Sequence, residues 1–194
     1  MKTEFEHIQH QFENIPEKGF FLLNEFKSES KNPTLTSIIE SDLLNEDYFS
    51  TEKQKKETQK QLDKMISYAK MKGAYEVNEN NQIELYGPIL KDKLHSFDFI
   101  QLDFKSYLTK IQSYIMEWTD ENWSYLVEGF QELHHKALSE LENHSAEKRT
   151  YYFLDAERID KNKLHEVNWY DYFFIVVSTL ENSDDLLIIN FGND

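Results

Sequence analysis

The sequence predicts an α+β fold, with several N-terminal and central helices packed on an antiparallel sheet that ends in a C-terminal β-hairpin. Three observations predict it. Phe104, Leu108, Ile111, Ile115 and Trp118 recur at alternating steps of four and three, the spacing of one helical face. Tyr172 to Leu180 is β-branched and aromatic with apolar residues on both faces, as in a central strand. The polar run Glu181-Asn182-Ser183-Asp184-Asp185 then separates it from a second apolar stretch, Leu186 to Phe191, which is a hairpin pattern. With 194 residues, 39% hydrophobic and 14% aromatic, the chain has material for one well-filled domain spanning 1–194.

The elements follow in order. Phe5, Ile8, Phe12 and Ile15 stand at helical spacing and Pro16 stops the pattern, so a first helix is expected there. Phe20-Phe21-Leu22-Leu23 fits a buried strand or part of a helix. Ser37 with Glu40 has the form of a capping box opening a helix with Ile38, Ile39, Leu43 and Leu44 on its apolar side. Thr51 with Gln54 is a second box, and Gly73 suits the end of the helix that it opens. Asn78 to Asn81 reads as a turn before a short strand, Ile83 to Tyr86, closed by Gly87-Pro88. After the helix through Phe104 and Trp118, Thr119 is placed to cap another. That helix has Asp120, Glu121 and Asn122 in its first turn and a stripe from Trp123 and Leu126 to Leu141. Tyr151 to Leu154 reads as a strand, and no internal repeat is present.

Charge excludes whole classes of partner. Lys and Arg total 21 against 36 Asp and Glu, a net charge of −15. Such a surface repels nucleic acid and anionic membranes, which are bound through Lys and Arg. Residues 53–96 form the longest net basic segment, and their stripe of Lys53, Lys56, Lys60 and Lys64 is interleaved with Glu52, Glu57 and Asp63, as on a solvated helix face. The absence of cysteine removes disulfides, thiol catalysis and Cys-ligated metals. Five glycines supply no phosphate loop and no nucleophile elbow. The N-terminus lacks the apolar run of a secretory leader, and the longest apolar run, Tyr172 to Val177, falls short of the ~20 residues that a spanning helix needs. A cytoplasmic location is the expectation.

Two Glu-x-x-His pairs, Glu4/His7 and Glu132/His135, have the spacing used by di-iron bundles. Counted at about 100° per residue, His7 lies roughly 160° from Phe5, and the second pair also points away from its apolar stripe. No metal and no cofactor is expected, and the remaining histidines read as surface or capping groups. Asp155, Glu157 and Arg158, following a strand, are the best candidates for acid–base chemistry, set against the commoner reading of solvated strand-end acids.

A different mixture stands out, of carboxylates beside large aromatics. Glu117-Trp118-Thr119-Asp120-Glu121-Asn122-Trp123 brackets a helix junction. Trp169 and Asp171 precede the central strand, and Glu181, Asp184 and Asp185 crowd the hairpin turn. Aromatic anchors within a polar rim suit protein interfaces, and acid attracts basic partners. Trp118 and Trp123 also fit the core stripes of their helices, the commoner place for such residues. The partner-binding candidates are therefore Glu117, Trp118, Asp120, Glu121, Trp169, Asp171, Glu181, Asp184 and Asp185.

The C-terminal stretch Tyr170-Asp171-Tyr172-Phe173-Phe174-Ile175-Val176-Val177, followed by Asp185-Leu186-Leu187-Ile188-Ile189-Asn190-Phe191-Gly192, resembles the closing strand pair of immunity proteins from bacterial polymorphic and contact-delivered toxin systems. The resemblance extends to the acidic, cysteine-free composition. It implies a non-enzymatic inhibitor that binds a cognate, basic protein toxin and occludes its active site. The alternatives are an acidic interaction or regulatory adaptor and an enzyme with a site near Asp155, Glu157 and Arg158.

Overall fold

In a computed structural model the described residues are 4–45, 85–120, 123–165 and 170–193, together with positions 56, 60, 63, 64, 67, 68 and 71, which are helical. Six strands form one antiparallel sheet: β1 (Phe5–Ile15), β2 (Gly19–Ser28), β5 (Ile100–Leu102), β6 (Arg149–Asp155), β7 (Tyr172–Leu180) and β8 (Asp185–Asn193). Their order across the sheet is β1-β2-β8-β7-β6-β5. The helices are α1 (Leu35–Glu40), α2 (Phe104–Asp120) and α3 (Ser124–Asn143), and the short strands β3 (Leu85–Tyr86) and β4 (Ile89–Leu90) form a separate hairpin. The α+β class and the β7–β8 hairpin are as the sequence predicts.

The N-terminal element differs. Residues 5–15 form β1, not a helix, and β1 and β2 make a hairpin that pairs with β8, so the two ends of the chain meet in mid-sheet. The cause is local. A bulge between His7 and Gln9 inserts one residue into β1 and shifts the alternation of its faces. Phe5 and Phe12, seven apart, thereby reach the same side: Phe5 packs beside the core residues around Phe26, and Phe12 meets Phe20 there. Ile15 packs on the opposite side, and Ile8 is 44% exposed. A bulged strand has imitated helical spacing.

Alternation along β7 and β8 builds two cores. Tyr172, Phe174 and Val176 with Leu187, Ile189 and Phe191 face α2 and α3, whose buried stripes include Tyr107, Ile111, Trp118, Phe130 and Leu133. Phe173, Ile175 and Val177 with Leu186 and Ile188 face Leu35, Ile38, Leu43, Leu44, Tyr86 and Ile89. Thr34, not Ser37, caps α1, accepting the Ser37 backbone N–H, and Leu43 and Leu44 lie in the turn beyond it. Thr119 lies within α2, donating to the Ile115 carbonyl, and Trp123 precedes α3. The Thr51/Gln54 box, Gly73 and the Asn78–Asn81 turn fall outside the described residues. Among those described, no helix is long and apolar enough to cross a membrane.

The tight β1–β2 turn depends on Gly19. Its φ of +113° belongs to glycine, and an added Cβ would lie 2.6 Å from the Gly192 carbonyl oxygen and 2.7 Å from the Tyr172 hydroxyl. Gly19→Ala is expected to destabilise the fold by about 2 kcal/mol or more. An unchanged urea midpoint would refute this account of the turn.

Candidate functional site

At one end of the sheet, the last turn of α2, the start of α3, the turn after β6 and the residue before β7 converge. Tyr114, Glu117 and Trp118 stand three and four apart on α2 and so share a side. Asp155 ends β6, and its Oδ1 accepts the Glu157 backbone N–H at 2.9 Å, turning the chain back on itself. That turn delivers Arg158 to the mouth of α2. The Arg158 Nε lies 3.1 Å from Asp155 Oδ2, another guanidinium nitrogen donates to Glu117, and the guanidinium stacks 4.8 Å above the Tyr114 ring. The Tyr114 hydroxyl donates to Asp155 Oδ2 at 2.6 Å.

Asp155 is only 7% exposed. Burial pushes its carboxyl above the usual aspartate value, against the pull of its donors Tyr114, the Glu157 amide and Arg158. Glu157 is also held high, first by burial and then by the carboxylates of Asp155, Asp171 and Glu117, with Arg158 opposing. Four carboxylates thus gather here with two cations, Arg158 and Lys110, whose Nζ lies 4.9 Å from the Tyr114 ring and draws on Asp155 as well, so acid outnumbers base in the cluster. With three donors on its two oxygens, Asp155 acts to orient Arg158.

Beside the cluster lies an aromatic shelf. The rings of Trp123 and Tyr125 stack at 6.3 Å, the Trp123 amide is anchored to the Trp118 carbonyl at 2.9 Å, and the Tyr125 hydroxyl donates to Asp171 at 3.3 Å. Trp123 is 38% and Tyr125 56% exposed. Sequence reasoning assigned Trp123 to the α3 stripe, but the chain is not yet helical there. Tyr125 was passed over, although its place off the Leu126–Phe130–Leu133 stripe is the sequence signal that it faces outward.

The structure divides the sequence-predicted residues. Glu117 and Asp171 lie at this end, and Asp120 is exposed at the terminus of α2. Trp118 is buried, packed on Phe130 and Tyr172, and belongs to the core. Glu181, Asp184 and Asp185 occupy the β7–β8 turn at the other end, about 30 Å away along nine strand residues. There Lys27 lies 2.8 Å from Asp185 and 3.5 Å from Asp184, and its hydrogen bond draws the Asp185 carboxyl below its usual value. Glu121 and Trp169 lie outside the described residues.

Other candidates also resolve. The His7 ring meets Asn24 Oδ1 at 3.0 Å, and Glu132 pairs with Lys136. Among the described residues, no group of three or more His, Asp or Glu is placed to hold a metal. His134 and His165 are buried rather than at the surface; His134 shares a 3.0 Å hydrogen bond with the Tyr107 hydroxyl, and burial pulls its pKa down to about 4. Lys56, Lys60 and Lys64 are exposed on helical positions, while Lys53 lies outside the described residues. Comparison with protein-family models, curated proteins and solved structures finds no match to this chain.

A carboxyl whose folded pKa is raised binds its proton more tightly in the native state. Its contribution is therefore greatest at low pH and is lost as pH rises from 3.8 through the folded value. The stability of the native chain relative to Asp155→Asn is expected to fall across that window. Denaturation measured at a series of pH values checks this, and a difference that is flat or rises with pH would contradict it.

Proposed function

We propose that this chain is an acidic binding protein that neutralises a cognate, basic bacterial toxin in the cytoplasm by covering its active site. The observation that carries the reading is the exposed Trp123–Tyr125 stack bordered by Asp171 and next to the Glu117–Glu157–Arg158 cluster. Exposed aromatics supply apolar contact area and a π-face for a partner's cation. The surrounding carboxylates supply attraction, added to that of the −15 charge of the whole chain. The resemblance of the C-terminal strand pair and the composition to immunity proteins supports the same reading, because an inhibitor of this kind works by surface fit and needs no catalytic group.

The test is affinity capture from a lysate of the source cells, followed by assay of the retained protein. The reading expects one basic protein at one-to-one stoichiometry, toxic when expressed alone and harmless when expressed with this chain. Replacing Trp123 and Tyr125 together by Ala should weaken that capture by about 100-fold, the effect of removing an interface hot spot. Asp171→Lys should weaken it as well. Retention of no such protein, or capture indifferent to these substitutions, would overturn the proposal.

A further inference from the structure

Beside the β7–β8 turn, on the face of the sheet turned away from α2 and α3, lies a cleft of about 290 Å³. Its floor is β6 and β7. Thr150 and Thr179 stand directly opposite each other on these strands, and Tyr152 follows on the same side, about 7 Å along β6. Pro33 and Leu35, at the start of α1, form one wall, and Leu180 and Glu181 close the end. The rim is fixed in place: Asn32 Oδ1 accepts the Asn182 backbone N–H at 2.6 Å, and the Asn32 N–H donates to the Ser183 carbonyl at 2.9 Å. The Thr34 hydroxyl is taken up in capping α1.

The polar groups facing into the cleft are uncommitted. A threonine in a helix bonds to a carbonyl one turn back, as Thr109 and Thr119 do at 2.9 and 2.7 Å, but a strand offers no such acceptor. Among the described residues, none hydrogen-bonds to the hydroxyls of Thr150, Tyr152 or Thr179, although Thr179 is only 9% exposed. A polar group so nearly buried gains from any partner that enters the cleft it lines. Glu181 likewise forms no ion pair among the described residues, whereas Asp184 and Asp185 in the same turn are held by Lys27. No described Lys, Arg or His lines the cleft.

Charge and donor count select the ligand. A carboxylate with no cation beside it repels anions and favours a positive group over a neutral one. Two hydroxyls and a carboxylate are three separate acceptors, which match the three diverging donors of an ammonium; the planar fork of a guanidinium is matched instead by a bidentate carboxylate. Leu35 and Leu180 offer apolar surface to an alkyl stem. The volume is at the lower end of small-molecule sites. We propose that this cleft binds a primary aliphatic amine, with the ammonium held by Glu181 and the hydroxyls of Thr150 and Thr179 and the alkyl chain running along Leu35 toward Tyr152. A free small amine and the side chain of a lysine on another protein present the same chemistry.

The test is a titration of the full chain with pentylamine, followed by amide NMR. Saturable binding that shifts the Thr150, Thr179 and Glu181 amides is expected, with pentanol, its neutral counterpart, binding about tenfold or more weaker. Glu181→Gln should weaken pentylamine binding about tenfold and Thr179→Val about fivefold. Asp184→Asn removes the same charge from the same turn and should leave binding unchanged, which separates the cleft from the general negative charge of the chain. Circular dichroism and urea midpoints show that each variant is folded. Acetyl-lysine methylamide, titrated alongside, distinguishes the sources: binding as tight as that of pentylamine admits a protein lysine, and exclusion restricts the site to free amines, pentylamine binding supporting the proposal in both cases. Equal binding of pentanol, an equal loss from Asp184→Asn, or no saturable binding of pentylamine would each overturn it, and none of these results bears on the shelf of Trp123 and Tyr125.

Discussion

The rest of this structure depends on the burial of β7 and β8 from both sides. Residues Tyr172 to Thr179 are all buried, and so are Leu186 to Asn193. A strand pair with no solvated face demands a complete layer above and below it. On one side α2 and α3 fill that role with an aromatic stack in which Trp118 contacts Phe130, Tyr172 and Phe174. On the other, α1, the turn holding Leu43 and Leu44, and the β3–β4 hairpin do so. The N-terminal hairpin closes one flank by pairing β2 to β8, and β6 closes the other. Buried Arg149 ties the second flank, donating to Ser178 Oγ at 2.9 Å and to the Ser178 carbonyl at 2.8 Å. Each of these is a charge-assisted hydrogen bond to a neutral acceptor, which compensates the desolvation of the guanidinium.

With both faces of the central strands consumed by packing, the proposed recognition surface lies at an end of the sheet. The two ends carry different electrostatics. At the β7–β8 turn, Asp184 and Asp185 are engaged by Lys27, which spends their charge within the fold. At the α2–α3 end, Glu117, Asp155, Glu157 and Asp171 outnumber the two cations beside them, Arg158 and Lys110, so negative charge is left over next to two exposed aromatic rings. The same amino-acid mixture is thus engaged within the fold at one end and, in the reading proposed above, offered to a partner at the other.

Much of this was legible in the sequence, for identifiable reasons. The α2 spacing and the two-faced apolar run of β7 are long, strongly periodic signals that tertiary context did not override. β1 was misread because its apolar residues do not share one face: the bulge brings Phe5 and Phe12 to one side, Ile15 lies on the other and Ile8 is exposed, and together they happen to stand at helical spacing. Trp123 was misplaced because an apolar stripe extrapolates smoothly past the point where the helix begins. Grouping Asp171 with Asp184 and Asp185 failed for a geometric reason: a strand carries its two ends apart by its whole length, however similar their flanking residues. His134, without ligand spacing to other histidines, reads as a surface or capping group, yet it lies on the core side of α3, one position round the helix from exposed His135.

The central proposal is that surplus acid at the α2–α3 end of the sheet governs recognition of a basic partner. Its most direct test is the association rate with the captured partner as a function of ionic strength. The account predicts a fall of about tenfold or more between 0.05 and 0.5 M salt, with a dissociation rate that changes far less, as steering by complementary charge requires. An association rate that stays constant across that range would contradict it.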